Sequence, residues 1–171
     1  MPLGFLCAAL FIFFARPRPA TLITGAIISL VGVLLRAWAS GHIRKNDALA
    51  VSGPYAYTRN PLYLGSFILG LGFTIGSGRW WLGIIFAALF LGIYLPVMRV
   101  ESATLAKLFG ESFQAYAVAV PLFLPRLTPY HSSQPKIGFD RGLYLRYREY
   151  RAALGLLIAW GLLVFKAYYL K

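Results

Sequence analysis

The chain has 171 residues, of which 59% are hydrophobic and only 13% are charged, with 17 Lys/Arg against 5 Asp/Glu. Its mean hydropathy of +0.67 is well above that of soluble domains and excludes an ordinary soluble or disordered chain. The single cysteine, Cys7, excludes a disulfide framework, and its position in an apolar run predicts a small packing residue.

Five apolar segments in chain order predict membrane helices. Pro2–Ala15 covers only about 21 Å at about 1.5 Å per residue, so we expect a shallow or partial span. Full spans are predicted for Ala20–Ala39, Pro61–Ser77, Trp80–Met98 and Ala152–Leu170. These segments are apolar all round, and lipid requires every backbone polar group to be satisfied internally. The predicted fold is therefore all-α: one polytopic membrane bundle over residues 1–171, with about five spans and cytoplasmic interfacial helices.

The formal charge of +12 is distributed unevenly between the two ends of the predicted bundle. The loop before Pro61 and the region after Met98 together carry most of the basic residues: Arg44, Lys45, Arg59, Arg99, Lys107, Arg126, Lys136, Arg141, Arg146, Arg148 and Arg151. The positive-inside rule makes this end cytoplasmic, with the N-terminus inside and the C-terminus outside if all five segments cross. Orientation and anionic headgroups explain the basic excess, so membrane lipids and not nucleic acid are the expected partners.

The region Arg99–Arg151 is too polar to cross lipid and begins as a predicted amphipathic helix. Its apolar positions recur at spacings of three and four, at Leu105, Leu108, Phe109, Phe113 and Tyr116. Gly110 is expected to mark a break or a close contact. Three prolines at 121, 125 and 129 then predict extended chain. Ser132–Gly138 is expected to be a loop, and Arg141–Arg151 a basic helix lying at the interface.

The common catalytic arrangements are missing from the sequence. His42 and His131 are far apart and neither is near a Cys or acidic cluster, so both are expected to be exposed loop histidines and no metal site is predicted. There is no phosphate-binding G-x-x-x-x-G-K-[ST] loop and no convincing Ser–His–Asp set. Binding groups without an acid or base fit group transfer from an activated donor best.

The polar stretch Gly53–Gly65 reads GPYAYTRNPLYLG and lies against the start of a span. It resembles the G-P-Y-x-x-x-R-H-P-x-Y-x-G signature of the isoprenylcysteine carboxyl methyltransferase family and of the related phospholipid methyltransferases. A second segment, from Glu101 to Pro125, resembles the family's E-E-x-x-L-x-x-x-F-G-x-x-Y-x-x-Y-x-x-x-V-P-R-x-x-P. Lys45, Leu49 and Ser52 also resemble the family's lead-in. The resemblance covers about 36–125, and the basic helix and last span, 139–171, lie outside it.

The resemblance implies an integral membrane methyltransferase that uses S-adenosylmethionine and acts on a lipophilic small molecule or a lipid-linked acceptor. The motif favours carboxyl methylation of the isoprenylcysteine type. Amine methylation of a phospholipid headgroup is an alternative, and so is a non-catalytic relative that serves as a lipid-binding or assembly subunit. No residue is diagnostic of the acceptor, and the oligomeric state is not predicted.

The resemblance also implies a cofactor site, with no residue assigned as acid or base. In it Arg59 would hold the donor carboxylate by a forked hydrogen bond, and Glu101 would accept from the ammonium or the ribose. Aromatic residues would enclose adenine, and glycines would let the cofactor approach the backbone. The expected site residues are Tyr55, Arg59, Asn60, Pro61, Tyr63, Gly65, Gly70, Gly72, Glu101, Phe109, Gly110 and Tyr116.

Structural explanations remain open for several of these residues. Arg59 can anchor a helix end to headgroups, the tyrosines can form an interfacial belt, and Glu101 can be a helix-start acid. The G-L-G step at residues 70–72 can serve helix packing, and Arg36 is expected to snorkel to the interface. The chain also departs from the family pattern at three positions: Asn60 replaces a histidine, Ser102 a second glutamate and Leu122 an arginine.

Overall fold

The computed structural model describes residues 11–44, 48–132 and 138–169. This part of the chain is helical, and no strand occurs in it beyond an isolated bridge between Arg44 and Ala48. The elements are α1 (Pro19–Ser40), a 3₁₀ turn (Gly53–Ala56), α2 (Pro61–Gly76), α3 (Trp80–Ala119), α4 (Arg141–Arg146) and α5 (Tyr150–Tyr169). Cys7, Lys45, Lys136, most of Pro2–Ala15 and the centre of the Ser132–Gly138 loop lie outside the described residues.

The predicted all-α class is confirmed for this part of the chain. Three of its helices, α1, α3 and α5, are long and apolar enough to cross a membrane. α2 is apolar but has only 16 residues, and it begins at Pro61, which suits a first helical turn. The count of about five spans, the interfacial helices and the single domain over residues 1–171 stay predictions.

α1 and α2 pack antiparallel along a line of small residues. Gly25 of α1 meets Gly72 and Gly76, whereas Gly32 meets Gly65. A Cβ added to Gly32 would lie 2.5 Å from the backbone nitrogen of Leu69 and 2.6 Å from the carbonyl oxygen of Gly65. Small residues allow this backbone approach, which gives helices in lipid the dispersion contacts that hold them together.

α3 continues well beyond the predicted span Trp80–Met98. The helix runs through Arg99 to Ala119 and accommodates Pro96 in its interior. Gly110 interrupts it with φ 54° and ψ −128°, a conformation that glycine adopts without steric cost. A Cβ at Gly110 would meet nothing within 4 Å, so Gly110 marks a break and not a close contact.

Residues 53–60, which precede α2, form a segment that we call the polar turn. The segment after α3 runs alongside the polar turn in the opposite direction. The backbone nitrogen of Arg59 donates to the carbonyl of Pro121 at 2.9 Å. Farther along, Arg126 donates from its backbone to Tyr57, and Tyr130 to Ala56, both at 2.9 Å. We call this pairing of residues 56–60 with residues 121–130 the clamp.

Side chains strengthen the clamp. The hydroxyl of Thr58 donates to the carbonyl of Phe123, and the amide of Asn60 donates to the carbonyl of Leu122, both at 2.8 Å. Thr58 is buried, so its hydroxyl needs such a partner. A cluster of Leu49, Val51, Phe113, Tyr116 and Val120 packs beneath these bonds.

The expectation that His42 is exposed is wrong, whereas His131 is exposed as expected. His42 is buried, with Nδ1 2.9 Å from the carbonyl oxygen of Trp38. Its ring fills the space beside Gly53, where a Cβ would lie 2.6 Å from the imidazole. Gly53 also has φ 59°, so the first residue of the G-P-Y motif is fixed by backbone conformation and by space.

The predicted single basic helix over Arg141–Arg151 is wrong. Helix α4 ends at Arg146, and the chain turns before α5 begins at Tyr150. Arg148 within this turn has φ 55°, a left-handed conformation that a helix interior excludes. The next residue, Glu149, pairs with Arg36 at 2.7 Å between Oε2 and Nη2.

At the opposite end, Lys166 of α5 donates from Nζ to the carbonyls of Ile12 and Phe13, both at 2.6 Å. Residues 11–14 are helical, so this ammonium satisfies carbonyls that a helix end leaves without partners. The backbone nitrogen of Arg16 donates to Ser77 at 2.7 Å. These bonds hold the beginning of the described chain against the turn between α2 and α3.

We expect Gly32→Ala to destabilise the fold by about 1–3 kcal/mol, because the added methyl meets backbone atoms that cannot rotate away. Thermal unfolding in detergent, followed by the fluorescence of the four tryptophans, measures the effect. Gly92→Ala is the matched control, since a Cβ at Gly92 meets nothing within 4 Å. Equal unfolding temperatures for the two variants would contradict close packing of α1 on α2.

Candidate functional site

A cavity of about 530 Å³ lies between the polar turn, the first turns of α2 and the middle of α3. Its volume is within the range of about 300–1,000 Å³ that is usual for small-molecule sites. Eight of the twelve residues expected from the sequence line it: Tyr55, Arg59, Asn60, Pro61, Tyr63, Glu101, Phe109 and Tyr116. The two sequence motifs, which are separated by α2 and half of α3, therefore meet at one cavity.

The four glycines of the expected set do not line this cavity. Gly65 packs against the side chain of Arg36 and the backbone of Gly32, and Gly72 packs against Ser29 and Gly25. Gly70 lies against the ring of Phe86, and Gly110 forms the break in α3. Helix packing, the alternative given for the G-L-G step, accounts for the positions of Gly70 and Gly72.

Arg59 brings a cation to the cavity wall. Its Cζ lies 6.0 Å from the centroid of the Phe113 ring. Its Nε is buried and has no hydrogen-bond partner among the described residues. Burial lowers the pKa of Arg59 below its usual value, but a guanidinium remains charged at any physiological pH. A buried charged donor without a partner is costly, so this atom is suited to an anionic ligand.

Tyr55 brings a neutral hydroxyl to the same wall. The side chain is buried, and its hydroxyl has no partner in the described part of the chain. Burial raises the pKa of Tyr55 well above 10.0, which keeps the hydroxyl protonated. The backbone carbonyl of Tyr55 accepts a hydrogen bond of 2.7 Å from the hydroxyl of Tyr116, which fixes the turn on α3. The Tyr55 hydroxyl is thus held in place and available to a ligand.

Glu101 places a carboxylate at the exposed side of the cavity. The hydroxyl of Tyr63 donates to Glu101 Oε1 at 2.9 Å, which joins the first turn of α2 to α3. Glu101 is not at a helix start, because α3 begins at Trp80. A carboxylate has about four lone-pair sites, so this bond leaves acceptor capacity for a ligand.

Sequence reasoning missed Tyr94 as a cavity residue. Its ring centroid lies 5.2 Å from that of Tyr63 and 4.4 Å from that of Phe90. Tyr94 precedes Glu101 by seven residues, which is close to two helical turns and puts both on one face of α3. That spacing is the signal that identifies it.

Arg36, expected from the sequence to snorkel to the interface, also lines the cavity. Its Nη1 donates to Ser66 and to the carbonyl of Leu62, and its Nη2 pairs with Glu149. Its Nε is buried without a partner among the described residues. The pairing of Arg36 with Glu149 could not be predicted from the sequence, because 113 residues separate the two side chains.

The departures from the family pattern have structural consequences here. Asn60 uses its side-chain amide to bind the backbone carbonyl of Leu122, so two of the three departures contact each other. Ser102, the third, lines the cavity beside Glu101. The described residues contain no group of three or more His, Cys, Asp or Glu side chains that could hold a metal ion.

Comparison with known proteins gives evidence on the family of this chain. A model of the phospholipid methyltransferase family matches residues 20–112, just over half of the chain. The cobalt-zinc-cadmium resistance protein CzcN of Cupriavidus metallidurans is 39% identical over 110 residues, which is 62% of this chain and 48% of that protein. The nickel-cobalt-cadmium resistance protein NccN of Alcaligenes xylosoxydans xylosoxydans is 38% identical over 112 residues, or 63% and 50%.

A third relative has an enzymatic name. The protein-S-isoprenylcysteine O-methyltransferase of Schizosaccharomyces pombe is 32% identical over 81 residues, which is 47% of this chain and 34% of that protein. The chain thus spans about half the length, or less, of these curated relatives. No solved structure matches it significantly. The match over residues 20–112, which includes nearly all of α1, all of α2, most of α3 and most of the cavity just described, shows that the chain belongs to the phospholipid methyltransferase family.

Proposed function

We propose that this chain is a membrane methyltransferase that transfers a methyl group from S-adenosylmethionine to a lipophilic or lipid-linked acceptor. The reaction would take place in the cavity between the polar turn and α3. The observation that carries the proposal is the convergence of Arg59, Glu101 and the unpartnered Tyr55 hydroxyl on one cavity. Family membership supplies the reaction class.

The groups of the cavity match those of the donor. The Arg59 guanidinium suits the donor carboxylate, and Glu101 suits the ammonium or the ribose hydroxyls. Aromatic rings of Phe109, Phe113 and Tyr116 line the same cavity and can pack against adenine. The buried Nε of Arg59 and the hydroxyl of Tyr55 would each gain a partner from such a ligand. The residues therefore fit S-adenosylmethionine.

Catalysis in this cavity would depend on how the reactants are positioned and on the exclusion of water. Bound S-adenosylmethionine supplies an electrophilic methyl group on a sulfonium. The chain contributes groups fixed by the clamp and a wall of aromatic and apolar side chains that displaces water. An anionic acceptor loses charge as it reacts with a cation, so a water-poor cavity favours the step. A carboxylate acceptor has no proton to lose, so methyl transfer to it requires no acid or base, in keeping with the absence of one from the proposed set.

The acceptor is proposed from the motif and the relatives. Isoprenylcysteine-type carboxyl methylation is favoured, since the motif and one relative's name agree. Phospholipid amine methylation is the second candidate, favoured by the family match. The names of the two metal-resistance relatives state no reaction. A non-catalytic lipid-binding or assembly role is the alternative from another class.

The proposed membrane orientation puts the cavity at the cytoplasmic end of the spans. Arg36, Arg44 and Arg59 line it, and the other end carries few basic residues. The donor would enter from the cytoplasm, and a lipophilic acceptor would enter laterally from the bilayer, as expected in a bacterial-type inner membrane or its equivalent. A reporter that stays accessible from outside when fused to the polar turn would contradict this orientation.

We expect Arg59→Ala to weaken binding of S-adenosylhomocysteine, the demethylated donor, by tenfold or more, equivalent to about 1.4 kcal/mol or more. Arg59→Lys should restore only part of the affinity, because an ammonium does not reproduce the guanidinium fork. Titration calorimetry on the purified full chain in detergent gives the dissociation constants. Arg99→Ala, an exposed residue of α3 outside the cavity, is the matched control.

We expect Glu101→Gln to weaken the same binding, since the amide loses the negative charge that attracts the ammonium. The unfolding temperature should change little, because the carboxylate is exposed and an amide oxygen can still accept from Tyr63. Unchanged affinity in both Arg59→Ala and Glu101→Gln would overturn the proposed donor site.

We expect the purified protein to incorporate labelled methyl groups from S-adenosylmethionine into total membrane lipid extract supplemented with an S-farnesylated cysteine. Alkali distinguishes the acceptors: a methyl ester releases volatile methanol, whereas an N-methyl product is stable. Arg59→Ala should abolish the labelling. Donor binding without incorporation into any fraction would favour the non-catalytic role.

A further inference from the structure

The region that comprises α4, the turn after it and the first two residues of α5 carries the densest positive charge in the described part of the chain. We call residues 141–151 the elbow. Its four arginines, Arg141, Arg146, Arg148 and Arg151, are all exposed. We propose that the elbow is a binding site for the phosphate headgroups of anionic phospholipids. This site lies outside the family match and does not depend on the proposed methyl transfer.

The acidic residues of this region do not neutralise the arginines. Asp140 caps α4 by accepting a hydrogen bond of 2.7 Å from the backbone nitrogen of Gly142. Glu149 pairs with Arg36 of α1, the sole ion pair among the described residues. Both carboxylates are therefore engaged elsewhere, and the four guanidiniums have no ionic partner in this part of the protein. Their charge complements an anionic surface.

The position of the elbow matches the level of lipid headgroups. It leads into α5, a helix of 20 residues that is long and apolar enough to cross a membrane. Large apolar side chains of α5 are exposed, including Leu157 at 68% and Ile158 at 67%. Since these side chains suit lipid tails, the arginines that precede them in the chain lie where the headgroups begin. Tyr150, also exposed, adds an aromatic residue of the kind found at this level.

The elbow is fixed to the rest of the protein and is not a free tail. The backbone nitrogen of Asp140 donates to the carbonyl of Gly41 at 2.9 Å, and the Phe139 ring packs over Gly41. The Glu149–Arg36 pair holds its other end. Because Arg36 lines the cavity, the elbow lies beside the proposed site and would bring anionic lipid next to it.

The geometry of Arg148 gives a second indication. Its φ of 55° is left-handed, a conformation that costs an arginine energy and a glycine nothing. Backbone bonds surround it: Arg148 donates to Leu145 at 3.0 Å, and its carbonyl accepts from Arg151 at 3.0 Å. An arginine side chain therefore does not stabilise the fold at this position, whereas it would strengthen headgroup binding. Replacing Arg148 with glycine removes the side chain but allows the same backbone conformation, so it separates the effect on headgroup binding from the effect on folding.

The test measures binding of a fluorescent short-chain phosphatidylglycerol to the full chain in neutral detergent. Each basic residue near an anionic surface contributes about fivefold in affinity. We expect Arg148→Gly to raise the half-saturation concentration about fivefold, and Arg146→Gln with Arg148→Gln by tenfold or more. Added salt should weaken binding, because exposed charges are screened. Arg148→Gly should keep or raise the unfolding temperature, so a loss of binding cannot be attributed to unfolding.

The matched control is Arg99→Gln with Lys107→Gln, which removes two exposed charges of the same polar region outside the elbow. We expect it to change affinity less than twofold. Equal weakening by the control and elbow pairs would overturn the proposal, since net charge alone would then explain binding. Competition by phosphatidylcholine as effective as by unlabelled phosphatidylglycerol would also overturn it. So would equal competition by glycerol phosphate, which would mean that the arginines bind free phosphate and not lipid.

Discussion

The clamp between the polar turn and the segment after α3 is the interaction on which the site depends. It joins residues 56–60 to residues 121–130 through backbone bonds such as Arg59 to Pro121 and Tyr130 to Ala56. The 3₁₀ turn satisfies only some of the backbone groups of residues 53–60, so the others need partners from elsewhere in the chain. The proline-rich segment supplies those partners because its prolines keep it out of a helix, which leaves its backbone N–H and C=O groups to bond across the clamp. Each irregular segment thereby orders the other.

The clamp also explains how a polar cavity persists at the end of an apolar bundle. α1 and α2 approach through glycines, and this close contact leaves little freedom at the end where Arg36 and Ser66 meet. Against this rigid pair, the Tyr116–Tyr55 bond fixes α3. Buried polar atoms such as Arg59 Nε have no hydrogen-bond partner among the residues that the structure describes. Such atoms reduce stability and favour a ligand.

Most of the site was predictable because each half of it is continuous in sequence. Arg59 and Tyr63 are four residues apart across a helix start, and Glu101 and Phe109 share one helix, so local spacing preserves their relation. The roles of the glycines were harder to predict, since a glycine that allows a neighbouring helix to approach and one that allows a ligand to approach look the same in the sequence. His42 was misjudged for a related reason: only the fold shows that Gly53 leaves space for its ring. The turn at Arg148 contains no glycine that would have indicated it in the sequence.

The amino-acid sequence alone determined that the protein is an all-helical membrane protein, since apolar runs of span length leave a helix as the stable form in lipid. It also predicted eight of the residues that line the cavity, through two motifs whose internal spacing is local. Only the tertiary structure decided that those motifs meet, that the glycines serve packing, and that Glu149 reaches Arg36. Each of those facts depends on which distant segments touch, and hydropathy and spacing carry no information about contacts across more than one element.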